Sequence, residues 1–207
     1  MINPKMEKIL LSLDEVEFAN RSQLEKMHDL GSTRSANRLL KQLRDTEYIL
    51  SFFYEQNVYY LSQKGREYIG SKKEVRKNLS QAEHKIMRTD IYTHFKPDSW
   101  EIERPIDFTY TEDNGGILIK KEKTVIPDVR FVFNGKYHLV EIDNLQSMKE
   151  NEKKIEHYAA LFPVFRKQMS EPVLVIYTKS DVRKGKWEQL CRSKNIAYVV
   201  LTPKDIF

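Results

Sequence analysis

Residues 126–143, IPDVRFVFNGKYHLVEID, decide how this chain is read. Asn134-Gly135 lies between two β-rich runs, and Asn-Gly is the strongest short signal for a type I′ hairpin, whose two central residues take positive φ. With that pair at the turn, Phe133 faces Lys136, and counting outward sets Asp128 across from Glu141. Opposed residues on paired strands have Cβ atoms about 5 Å apart, and Asp143, two residues beyond Glu141, projects from the same face. Three carboxyl groups thus converge on one spot. Uncompensated they repel and raise one another's pKa, so a divalent cation, a basic side chain or a proton is expected among them.

The rest of the composition fits a chain that folds without staples. Its 207 residues are 40% hydrophobic and 11% aromatic, enough for one large core or two small ones. The single cysteine, Cys191, excludes an internal disulfide framework and a Cys-rich zinc site, as expected in a reducing cytoplasm. No apolar run approaches the roughly 18 residues of a membrane span. The N-terminal MINPKMEKILLSLDEVE carries acids where a secretory signal is apolar, so a cytoplasmic protein without a membrane partner is expected. Thirty-five Lys and Arg against thirty Asp and Glu give a net charge of +5 and a pI near 9.1. So mild an excess says little about nucleic acid by itself, and its distribution matters more.

That distribution points to the first third. Met6 to Leu13 has helical apolar spacing, and Ser22-Gln23-Leu24-Glu25 fits a capping box opening a short helix that Gly31 would end. Ser32 or Thr33 can cap the next helix, whose Ala36, Leu39, Leu40 and Leu43 form a buried stripe. Arg34, Arg38 and Lys41 share another face, and no acid occurs from Ser32 to Arg44. A helix, a turn and a second, basic helix are the parts of a helix-turn-helix. The runs 48–54 and 58–61 read as a hairpin, or wing. Ser62-Gln63-Lys64-Gly65 after it resembles the entry into the closing helix of winged-helix proteins. Residues 1–72 are therefore expected to form a winged helix-turn-helix domain that binds double-stranded DNA. Arg34, Ser35, Asn37, Arg38 and Lys41 would meet the duplex, Arg and Asn at base edges and the others at phosphates. The plainer alternative is a solvated helix face with the wing contacting protein.

Residues 73–79 are basic and poor in apolar side chains, and read as a linker. Beyond it, residues 80–207 suggest a helix from Ser80 to Phe95, a strand from Trp100 to Phe108, and a polar excursion turning at Asn114-Gly115-Gly116. The strands 127–133 and 137–143, a helix 148–162, a strand 172–177, a helix 184–192 and a last strand 197–201 follow. The class is α/β of the α+β kind.

Helix, three strands, helix, strand, with Pro127-Asp128 opening the second strand and an acid-x-acid on the third, resembles the restriction-endonuclease-like αβββαβ fold. Its nucleases carry proline-aspartate, then Asp or Glu, any residue, and Lys. Asp128 and Glu141 match the two acids, Asp143 stands where the lysine belongs, and Glu83 would match the additional acid many members carry on the preceding helix. The whole arrangement, with a Lys-rich helix ending in Tyr158, resembles the replication-relaxation family of plasmids and other mobile elements. That resemblance implies a DNA-binding accessory or regulatory protein in replication, relaxation or transfer. The alternative is a protein-interaction module whose wing binds a relaxase or replication initiator, and a homodimer is expected in so far as winged-helix regulators read paired half-sites.

Metal-assisted hydrolysis needs carboxylates for Mg²⁺, a water nucleophile and positive charge for the developing phosphorane. Asp128 and Glu141 are the metal-ligand candidates, with Asp143 beside them. The missing lysine argues against catalysis unless one has migrated to the following helix: Lys149, Lys153 or Lys154, with Lys153 taken for the role. The same lysines would equally neutralise a degenerate, structural site. His84, His94, His138 and His157 do not stand at zinc spacing. His138 falls on the face opposite the acids, against Phe131, while His84 and His157 could approach the core of the second domain as hydrogen-bonding partners.

Overall fold

The computed structural model describes residues 2–144, 147–168 and 170–207. Its helices and sheets are those of an α+β protein, divided into two compact units, Met1–His94 and Phe95–Phe207.

In the first unit, α1 (Pro4–Val16) is capped by Asn3 and followed by the short strand β1 (Ala19–Asn20). Next come α2 (Arg21–Met27) and α3 (Thr33–Asp45). The capping box is real but belongs to Asn20 with Gln23, two residues before the expected Ser22, and α2 ends at Met27, ahead of Gly31. Ser32 caps α3. The hairpin β2 (Ile49–Tyr54) and β3 (Gln56–Leu61) turns more tightly than expected: Tyr54 pairs with Gln56, leaving Glu55 alone at the tip with φ +55°. Strand order is β1-β3-β2. Helix α4 (Gln63–Ile69) starts at the Ser62 cap. A Cβ on Gly65 would lie 2.1 Å from the Tyr48 carbonyl oxygen, which explains the glycine in that entry motif.

Residues 73–79 do not separate the two units, and the division falls between His94 and Phe95. Val75 is buried in a cluster with Phe18, Phe52 and Tyr60. Helix α5 (Ala82–Phe95) is fastened beside them: Lys85 and Arg88 pair with Glu17 at 2.8 and 2.5 Å, and Gln23 donates to Asp90 at 2.7 Å. A buried apolar side chain and ion pairs from the following helix override the polar composition of the segment.

The second unit holds β4 (Ser99–Ile102), β5 (Ile106–Asn114), β6 (Ile117–Val125), β7 (Val129–Phe133) and β8 (Lys136–Asp143). They are followed by α6 (Met148–Gln168), β9 (Val173–Thr178), α7 (Asp181–Ser193), β10 (Tyr198–Leu201) and α8 (Pro203–Ile206). The expected strand 100–108 breaks at residues 103–105, where Glu103 takes φ +50° and Pro105 cannot donate to a ladder. Its second half joins the excursion to form a separate β5–β6 ribbon turning at Gly115-Gly116. The main sheet has the order β10-β9-β8-β7-β4, parallel where α6 and α7 cross over and antiparallel in the β7–β8 hairpin and between β4 and β7. Leu139, Leu174 and Ile176 on one sheet face pack with Ile155, Tyr158 and Phe162 of α6 and Trp187 of α7. On the other face Phe131 stacks on His138 at 4.8 Å with Phe95 beside them, and burial pushes the His138 imidazole below its ordinary pKa.

Candidate functional site

Asn134 and Gly135 take φ +50° and +71°, as a type I′ turn requires, and the ladder runs from Phe133↔Lys136 to Val129↔Val140. One step further, the Asp128 N–H donates to the Val140 carbonyl at 3.0 Å, which seats Asp128 beside Glu141. The carboxylate of Asp128 accepts the Ile142 N–H at 2.6 Å, so the backbone of β8 fixes its orientation.

Glu141 points under α6 and is 3% exposed. Its two oxygens are taken separately: Oε1 accepts the Tyr158 hydroxyl and Oε2 the Lys154 ammonium, each at 2.6 Å. Burial pushes its carboxyl up, the Asp128 charge adds to this, and Lys154 and Tyr158 only partly oppose it, leaving a pKa of about 7. Burial draws the Lys154 ammonium down, but Glu141, Asp128 and Asp143 outweigh it and hold the lysine above its ordinary value. The buried Tyr158 phenol is raised well above its usual range and stays protonated.

Asp143 shares the face but not the company. Its side chain is fully buried and accepts Arg183 Nε and Trp187 Nε1 at 2.7 Å, Asn151 Nδ2 at 3.2 Å, and Arg183 Nη2. Burial raises this carboxyl, yet those donors and the guanidinium charge hold it below its ordinary pKa. It fastens β8 to α6 and α7. Asp128 and Glu141 are left as the two carboxylates able to share a Mg²⁺, and among the described residues no group of three His, Cys, Asp or Glu is arranged to hold a metal.

The lysine that arrives is Lys154, not Lys153, which is exposed, as is Lys149. One residue turns a helix by about 100°, and Lys154 lies four before Tyr158 on the inward face. Asn151, Lys154 and Tyr158 at i, i+3 and i+7 were visible in the sequence as one stripe, and Arg183 with Trp187 repeats the i, i+4 spacing on α7. Nothing local tied Arg183 to Asp143, forty residues earlier. Glu83 lies on α5 in the first unit, as does the half-buried His84, and His157 is exposed on α6 rather than near the core.

In the first unit Arg34, Asn37, Arg38 and Lys41 are exposed on α3, opposite the buried Ala36, Leu40 and Leu43. Ser35 is half-buried and engaged at the helix start, its N–H donating to Ser32 Oγ at 3.3 Å. Among the described residues no ion pair occupies Arg34, Arg38 or Lys41.

A model of the replication-relaxation family matches residues 10–172. The chain belongs to the replication-relaxation family. The matched stretch runs from within α1 to the residue before β9, so it takes in the α3 face and the Asp128–Tyr158 cluster, and leaves Arg183 and Trp187 outside. Membership associates this protein with replication or relaxation. Curated proteins give no match. Among solved structures, protein VC1899 from Vibrio cholerae is similar at 11% identity and a TM-score of 0.37, over 97% of this chain and 53% of that one. This replication-relaxation protein thus spans about half the length of VC1899, and a likeness at that score carries no argument. Among the described residues no helix is long and apolar enough to cross a membrane.

Proposed function

We propose that this replication-relaxation protein binds double-stranded DNA through α3, as an accessory or regulatory protein of a plasmid or other mobile element in replication, relaxation or transfer. In this reading the first unit is a winged helix-turn-helix and the second a restriction-endonuclease-like domain whose acids serve structure. The observation that carries it is the outward face of α3, where two arginines, an asparagine and a lysine stand exposed with no acid between Thr33 and Arg44. Cations in that setting gain by releasing counterions from a duplex, and Arg and Asn have the geometry for guanine and adenine edges. Titrating a labelled plasmid duplex at several salt concentrations tests it. Arg34→Ala and Arg38→Ala should each cost about 1–3 kcal/mol if the side chain reads a base, and flatten the salt dependence if it meets phosphate. Undiminished binding by the double variant would remove α3 from the interface.

A second reading, a Mg²⁺-dependent DNA endonuclease, is favoured by one observation: the Lys154 ammonium lies on Glu141, beside Asp128. Asp128 and Glu141 would hold the metal, which supplies Lewis acidity to the scissile phosphate, while Lys154 would orient the attacking water. Against it, the two oxygens of Glu141 are already occupied by the Lys154 ammonium and the Tyr158 hydroxyl, and Asp143 is committed to Arg183 and Trp187. A protein-interaction role toward a relaxase or replication initiator would show as co-purification without DNA affinity.

A further inference from the structure

Residues 70–81 form neither helix nor strand, yet the segment is held to the first unit. Val75 is 9% exposed, in a cluster with Phe18 and with Phe52, Val58 and Tyr60 of the β2–β3 hairpin. Ser71 Oγ donates to the Asp14 carboxylate, and Lys73 Nζ donates to the Asp14 carbonyl at 2.9 Å. Ordering backbone costs about 1–2 kcal/mol per residue, and burying Val75 offsets part of it. The result is a strap whose Lys72, Lys73, Arg76 and Lys77 are all exposed, with Glu74 as its single acid.

Little of that charge is met within the chain. Arg76 pairs with Glu74 at 2.9 Å, but both are well exposed and such a pair is worth little. Among the described residues Lys72 and Lys77 meet no acid, and the Lys77 ammonium lies 5.9 Å from the centre of the Phe52 ring. The hairpin beneath has no cations of its own: from Tyr48 to Leu61 there is no Lys or Arg, and Glu55 stands at the tip.

The two faces of that hairpin are differently covered. Ile49, Tyr59 and Leu61 turn to the core that holds Ala36, Leu40 and Leu43 of α3, while Phe52, Val58 and Tyr60 turn to the strap. The exposed cations of α3 and those of the strap therefore flank one hairpin. With packed layers about 10 Å apart, the two sets stand on the order of 20 Å from each other, inside the roughly 34 Å of one duplex turn. Cations already held in place lose less freedom on meeting phosphate than those of a free linker.

We infer that the strap is a second phosphate-binding element: Lys72, Arg76 and Lys77 meet the backbone of the duplex that α3 contacts, supplying the positive charge that the hairpin lacks. The inference rests on the duplex binding proposed above, and adds to it contacts that carry no sequence information.

Fluorescence anisotropy of a labelled, mixed-sequence duplex titrated with the full chain, from about 50 to 200 mM salt, reads this directly. Each phosphate contact contributes about 0.9 to the slope of log K against log salt, so Lys72→Gln/Lys77→Gln should flatten the slope by about 1.8. Over that range the variant should lose about tenfold less affinity than the wild type loses. Lys72→Arg/Lys77→Arg keeps the charge and should keep the wild-type slope, and melting curves check that each variant is folded. Arg34→Ala/Arg38→Ala in the same titration separates the strap from α3. A strap variant with the wild-type slope, beside a weakened α3 variant, overturns the inference and leaves α3 in place. A flattened strap variant beside an undiminished α3 variant removes α3 and keeps the strap. Affinity lost without a change of slope, or a wild type that binds no duplex, also overturns the inference.

Discussion

Replacing Glu141 by Gln removes the buried charge of the cluster while keeping an oxygen for Lys154 or Tyr158. The folded protein holds the Glu141 proton up to about pH 7, whereas the ordinary value is 4.5. Between those values the folded state binds the extra proton, so the contribution of this carboxyl is fully present below the ordinary value and is lost as pH rises through the window. At about 1.4 kcal/mol per pH unit the decline is bounded at roughly 3 kcal/mol, the opposing pull of Lys154 being already contained in the value of about 7. His138, pushed down by burial, contributes the opposite slope below its ordinary pKa, but does so in both proteins. Urea unfolding from pH 5 to 8, followed by tryptophan fluorescence, reports on the right unit, because Trp100 and Trp187 both lie in Phe95–Phe207. The expected result is a wild type that loses about 2–3 kcal/mol over the range and a Glu141→Gln protein that loses little of it. Parallel pH profiles for the two would refute the premise that a buried, proton-holding carboxyl sits beside Asp128.

Asp143→Asn should be the most damaging conservative change in the second unit. It sets an amide against the Arg183, Trp187 and Asn151 donors, costing about 3 kcal/mol and on the order of 10 °C in Tm by calorimetry. Because its folded pKa is lowered, Asp143's contribution is complete above the unfolded carboxyl value and disappears as pH falls through the folded one, so the variant's deficit should shrink in acid. Gly65→Ala drives a Cβ into the Tyr48 carbonyl and should destabilise the first unit by about 2 kcal/mol or more, visible as weakened amide-exchange protection in β2 and β3. In a plasmid-nicking assay with Mg²⁺ or Mn²⁺, the structural reading of the acids expects no cleavage above background; nicking abolished by both Asp128→Ala and Lys154→Met would establish the hydrolytic reading instead.

Much of this molecule was written locally. The Asn134-Gly135 turn and the two-residue period of its strands were enough to oppose Asp128 and Glu141, because turn dihedrals and side-chain alternation act over a few residues. Ser32 as a cap, the basic outer face of α3 and the glycine opening α4 were legible for the same reason. What the sequence did not determine was partnership at a distance. Lys154 rather than Lys153 meets Glu141 because α6 lies on the sheet in one rotational setting, fixed by the packing of Ile155, Tyr158 and Phe162. Asp143 is removed from the acid cluster by Arg183 and Trp187, residues whose approach depends on the β9 crossover and on where α7 docks. Likewise α5 belongs with the first unit because Glu17 and the Phe18 pocket receive it, and the polar residues around 73–79 carried no sign of that. Turns, caps and periods are settled by nearest neighbours, whereas the choice among several lysines and several acids is settled only by which of them close packing leaves within reach.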